Sequence, residues 1–83
     1  MIPTHMDAIH ISTARRIMEE NEFSVSFLTA AGEIRHIDRA VSLRYDYLTG
    51  TRNIKCLFDD RPPNIRRIRD VFIYEINDIE VYI

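Results

Sequence analysis

Val41-Ser-Leu-Arg-Tyr-Asp-Tyr47 sets Val41, Leu43, Tyr45 and Tyr47 at every second position, with Ser42, Arg44 and Asp46 between them. A period of two belongs to a strand with one covered face, and this is the clearest strand in the chain. The same period continues on both sides. Upstream, Phe23, Val25 and Phe27 alternate with Ser24 and Ser26. Ala31-Gly32 then turns the chain into Glu33–Ile37, where Ile34 and Ile37 stand three apart, a spacing that predicts a bend or bulge. Downstream, Thr49-Gly50 turns the chain back through Ile54, Cys56 and Phe58. Asp59-Asp60-Arg61-Pro62-Pro63 is a loop, because neither proline donates to a ladder and each restricts its predecessor. Ile65 and Ile68, set among Arg66, Arg67 and Arg69, fit a strand or a short helical turn.

The C-terminus reads as a hairpin. Val71–Ile76 and Ile79–Ile83 flank Asn77-Asp78, a two-residue loop of types that tolerate positive φ. Such a turn pairs Ile76 with Ile79, Tyr74 with Val81 and Phe72 with Ile83, a face expected to be core. The opposite face pairs Ile73 with Tyr82 and Glu75 with Glu80. Like charges directly opposed on a hairpin are unfavourable unless a cation lies between them. Ile73, Glu75, Glu80 and Tyr82 are therefore expected to form a protein interface.

Helical spacing occurs only near the start. Ile11, Ala14 and Met18 recur three and four apart, with Ile17 alongside, and Arg15, Arg16, Glu19 and Glu20 take the other side. Thr4 with Asp7, or Ser12 further in, are the candidate caps. So short a helix must lie on something, and the sheet is its partner. The expected fold is mainly β: one domain over 1–83, with an N-terminal helical segment (1–21) and a strongly bent antiparallel sheet of five or six strands (22–83). A small SH3-like barrel or half-barrel avoids exposed edges in so short a chain.

The order of elements, with Val25-x-Phe27 leading into Gly32 and a closing Asp70-Val71-Phe72-Ile73 strand, resembles the Sm-like arrangement. The Arg-Gly pair that ends the second motif of that family is missing, since Arg69 is followed by Asp70, so its uridine pocket is not carried over. The run Ile65–Ile83 is similar to the ending of short uncharacterised proteins of bacterial phage-like and mobile elements. That likeness implies a setting and no activity.

Composition narrows the function classes. Apolar content of 46% and charged content of 29% are globular values, so disorder is not expected. No apolar run approaches the roughly 18 residues of a membrane span, and Met1–Ile11 lacks the pattern of a secretory signal. The single cysteine, Cys56, has no intramolecular partner, which fits a reducing, cytoplasmic setting. It alternates with Ile54 and Phe58 and is expected in the core. His5, His10 and His36 lack ligand spacing, and two isolated glycines make no phosphate loop. No catalytic residue, metal, cofactor or small-molecule ligand is expected.

Charge is unevenly spread. Residues 1–34 carry five acids and two bases, 35–69 nine bases and four acids, and 70–83 four acids and no base. Ten of the eleven Lys and Arg residues are arginine. The expected function is a non-catalytic protein-interaction or assembly module that self-associates, its acidic hairpin meeting the arginine-rich middle of another copy. The alternative is a nucleic-acid-binding barrel using Arg44, Arg52, Arg66, Arg67 and Arg69 as an anion patch.

Overall fold

The computed structural model describes residues 8–83. Its elements are β1 (Ile9–His10), α1 (Ile11–Glu20), β2 (Phe23–Leu28), β3 (Ile34–Asp46), β4 (Thr51–Cys56), β5 (Asn64–Arg69), a 3-10 turn (Asp70–Phe72), β6 (Ile73–Ile76) and β7 (Ile79–Tyr82). The strands form one sheet in the order β1-β7-β6-β2-β3-β4-β5, which does not close. Seven strands replace the five or six expected. The extra one is the two-residue β1, which runs parallel to β7 beside Val81 and Tyr82. No helix of the described residues is long and apolar enough to cross a membrane.

Helix α1 follows from its periodicity. Ile11, Ala14 and Met18 are buried against the sheet, where Phe23, Val25, Phe27, Ala40, Ile54, Cys56, Ile68, Ile73 and Ile76 complete the core. His10 caps the helix, its Nδ1 accepting from the Ser12 backbone N–H at 3.1 Å, so Ser12 is the capped residue and not the cap. The alternative pair Thr4 and Asp7 lies outside the described residues, as does His5. Cys56 is buried as expected, and burial pushes its thiol pKa up, with the Arg66 charge acting in the opposite direction.

The sheet bends at β3, a single strand of thirteen residues whose first half pairs with β2 and second half with β4. Ala40 sits at the changeover, opposite both Phe23 and Cys56, with no exposed surface. The predicted irregularity is real but displaced. Between Phe23 and Val25 the facing strand advances from Ala40 to Ile37, so the extra residue falls at Asp38–Arg39. A second extra residue, Leu43, falls between Ser42 and Arg44. It breaks the alternation of Val41–Tyr47: Val41 faces outward opposite Lys55, Tyr45 lies opposite buried Arg52, and Tyr47 is exposed beyond the strand end. The clearest strand in the sequence is a strand, but its apolar positions are not one core face.

The C-terminal hairpin has the expected turn. Asn77 and Asp78 both adopt positive φ, Ile76 pairs Ile79, and Glu75 pairs Glu80. Asn77 also ties the turn to β2, its N–H donating to the Ser24 carbonyl and its Oδ1 accepting from the Ser24 N–H. The expected core face forms only in part, through Ile76 and Val81. Tyr74 is an extra residue against β2, so Phe27 faces Ile73 while Val25 faces Ile76. Both isoleucines are thereby buried, and Phe72, Tyr74 and Ile83 are left exposed.

A buried charge cluster joins the elements that the sheet leaves apart. Arg52 and Asp70 are each 1% exposed. The Arg52 Nε donates to Asp70 Oδ1 at 3.2 Å and Nη2 to Oδ2 at 3.1 Å, a bidentate fork. Arg52 Nη1 donates to the Ser42 hydroxyl at 2.7 Å, and Arg15 of α1 donates to Asp70 Oδ2 at 3.1 Å. Both guanidinium groups lie over the Tyr45 ring, at 5.6 Å for Arg15 and 4.9 Å for Arg52. Removing one partner of such a pair strands the other charge out of water. Asp70→Ala is expected to lower the unfolding free energy by about 3–5 kcal/mol in urea titration; a loss below about 1 kcal/mol would show that the pair does not hold the fold.

Candidate functional surfaces

Of the five arginines expected to form an anion patch, the fold separates two. Arg52 is committed to Asp70 inside the protein, so it binds nothing external. Arg66 points toward the inner side of β5, its guanidinium 5.4 Å from the Phe27 ring. Arg44, Arg67 and Arg69 do come together. The register aligns Val41, Lys55 and Ile65 in one cross-strand row, Arg44, Asn53 and Arg67 in the next, and Asp46, Thr51 and Arg69 in a third. Between Arg44 and Arg67 lies a shallow depression of about 230 Å³, lined also by Asp46, Thr51 and Asn53.

Sequence reading left Lys55 and Asn53 out of this group, because nothing local tells which face of β4 points outward once Arg52 is drawn inside. Two of the remaining cations of the middle segment are ion-paired. Arg35 pairs with Glu33, and Arg39 pairs with Glu22 and Asp59. Arg61 packs 4.0 Å from the Phe58 ring. Arg44, Lys55, Arg67 and Arg69 are exposed and have no ion-pair partner among the described residues.

The proposed interface on the hairpin is also divided. Ile73 is 5% exposed and belongs to the core, drawn in by the Tyr74 bulge. Tyr82 is half exposed but turned to β1, where its ring meets His10 edge-on at 5.5 Å. Glu75 and Glu80 stay outward and directly opposed. Their row runs on through Ser26 to His36. Ser26 Oγ lies 2.7 Å from His36 Nδ1 and 3.4 Å from Glu75 Oε1, and His36 Nε2 lies 3.0 Å from Asp38 Oδ1.

The order serine–histidine–aspartate has the atoms of a nucleophile relay, a juxtaposition made only by strand pairing. Ser26, however, is 5% exposed in the middle of β2, with strands on both sides. The Glu75 carboxylate occupies its open flank, where an oxyanion would meet repulsion rather than donors. The hydroxyl instead links the acidic pair to His36.

A third feature was not legible in the sequence. β5 is the last strand of the open sheet, paired with β4 on one side only. Against this strand lies a groove of about 420 Å³, lined by Phe27, Leu28, Ile68 and Phe72, by Arg66, Arg67 and Arg69, and toward the loops by Thr29, Ala30, Thr49 and Thr51. Leu28 and Phe72 are 37% and 42% exposed. The alternation of the C-terminal run had assigned Phe72 to the core. The intervening 3-10 turn reverses it.

No family model matches the chain, and no curated protein and no solved structure matches it either.

The opposed carboxylates give a direct stability test. Glu75→Gln keeps an acceptor for Ser26 and removes one of two facing charges, so thermal or urea unfolding at neutral pH and low salt is expected to show a gain of about 0.2–1 kcal/mol. The gain should shrink as salt is added. A loss of stability would mean that the protein's own cations already neutralise the pair.

Proposed function

We propose that the chain is a non-catalytic protein-interaction module that assembles head-to-tail with copies of itself. One observation carries the reading. Among the described residues, the unpaired cations Arg44, Lys55, Arg67 and Arg69 lie on β3–β5 at one end of the strand order, with the single unpaired acid Asp46 among them, and the unpaired acids Glu75 and Glu80 lie opposed on the β6–β7 hairpin toward the other. Two complementary faces in different places on one surface favour a heterologous contact, which closes into a ring or continues as a filament. An N-terminal helix, preceded only by the two-residue β1 and followed by a bent sheet that stays open, is what supports the small SH3-like or Sm-like reading of the architecture. Burial of the lone thiol fits a reducing, cytoplasmic setting, and the likeness of the C-terminal run to proteins of phage-like elements suggests the context.

Charge reversal tests the contact. Sedimentation velocity at tens of micromolar protein in low salt should show an assembly for the native chain and monomer for Glu75→Lys with Glu80→Lys. Arg67→Glu with Arg69→Glu should also be monomeric. Mixing the two variants should restore the larger species, since each then supplies what the other lost. A native chain that sediments as a monomer, or variants that keep the native mass, would reject the reading.

A second reading rests on the Arg44–Asn53–Arg67 row itself, which presents two guanidinium forks and an amide side by side on a face suited to phosphates or bases. Fluorescence anisotropy with labelled single-stranded oligonucleotides separates it. Binding that weakens steeply with salt and disappears in Arg44→Ala with Arg67→Ala would assign the face to nucleic acid. Absence of binding at tens of micromolar protein in low salt leaves the face to protein contacts.

A further inference from the structure

We propose that the groove beside β5 receives an extended peptide that adds to the sheet as an eighth strand, with apolar side chains alternating with carboxylates. This rests on the reading of the chain as a protein-interaction module; the groove lies away from Glu75 and Glu80 but shares Arg67 and Arg69 with the basic half of the self-contact.

Three observations converge on that occupant. First, every residue of β5 from Asn64 to Arg69 is paired with β4, and no strand of the described residues lies against its other side. The backbone groups on that side are a template for main-chain hydrogen bonds with an incoming strand. Second, four large apolar side chains line the adjoining groove, beside Thr29, Thr49 and Thr51. They are Phe27, Leu28, Ile68 and Phe72, so a bound strand can bury every second side chain there. Third, the charge of the site is of one sign. Arg66, Arg67 and Arg69 border the groove, and none of its lining residues among those described is acidic. None of the three has an ion-pair partner among the described residues.

The combination selects its ligand. Arginines along an edge strand oppose pairing with most strands, including a second basic β5, because like charges would face each other across the new ladder. A strand carrying carboxylates reverses that penalty, and apolar residues between them fill the groove. At about 3.3 Å per residue, the six residues of β5 match a peptide segment of about six residues. The 3-10 turn, held by buried Asp70, limits the groove at Phe72.

The test is binding of a fluorescein-labelled peptide of about seven residues that alternates glutamate with valine and phenylalanine, measured by anisotropy. The protein is the full chain carrying Glu75→Gln with Glu80→Gln, which removes the acidic self-contact and leaves the groove untouched. Two isomers of the peptide, each N-methylated on one alternate set of amides, report the ladder, because only one set faces β5 in an added strand. The expected result is saturable binding that one isomer loses by about tenfold or more and the other retains. Binding should also fall about tenfold in Phe72→Ala and disappear when lysine replaces glutamate in the peptide. Equal binding of the two isomers, equal binding of the lysine peptide, or no binding at hundreds of micromolar protein would overturn the proposal. Because this variant lacks the acidic face, failure here leaves the self-assembly test unaffected, and failure of self-assembly leaves this one intact.

Discussion

The buried fork between Arg52 and Asp70 is the constraint on which the remaining geometry depends. A guanidinium taken out of water must have its donors satisfied, and here they reach Asp70 of the 3-10 turn and Ser42 of β3. Arg15 brings α1 to the same carboxylate, and Tyr45 receives both cations on its ring. Helix α1, β3, β4 and the 3-10 turn, of which only β3 and β4 share a backbone ladder, are therefore pinned at one point. The Asp70 N–H also donates to the Gly50 carbonyl, which holds the turn against the start of β4. Asp70 is pinned in the 3-10 turn that separates β5 from β6, and these two strands lie apart in the open sheet.

With that separation come the free side of β5 and the groove beside it. A closed barrel would have paired this strand on both sides and buried Phe72 and Leu28. The open arrangement instead leaves large apolar side chains next to unpaired backbone, with arginines in place as the edge. Natural sheets guard such edges with charge. Here the guard carries one sign only, which turns protection against indiscriminate pairing into selection of an acidic strand.

Extra residues in the strands decide which chemistry faces solvent. The bulge at Leu43 turns Arg44 to the outer face beside Asn53 and Arg67, while Ser42 stays inside to receive Arg52. The bulge at Tyr74 brings Ile73 into the core and keeps Glu75 outward beside Ser26. Each inserts one residue and shifts the two-residue alternation by one step. The outward positions of Arg44 and Glu75 follow from these shifts, whereas Ser26 meets His36 through the regular β2–β3 register.

Several elements were written locally and could be read without a fold. The spacing of Ile11, Ala14 and Met18 marks the buried stripe of α1; Phe23, Val25 and Phe27 are core as their alternation says; Asn77-Asp78 makes the hairpin turn and so sets Glu75 against Glu80. These depend on backbone propensity and on neighbours within a few residues, which are visible in the sequence. The fate of Arg52, Ile73 and Phe72 was decided elsewhere. Arg52 and Asp70 meet across eighteen positions, and Ile73 is buried because of where β2 lies, forty-six positions away. An arginine next to other arginines looks like surface until a distant carboxylate makes its burial favourable. An alternating run loses its register where a facing strand imposes a bulge. Local pattern thus determined which segments are helix, strand and turn. Only tertiary pairing, by satisfying or stranding buried charge and by shifting register, determined which side chains reach the surface.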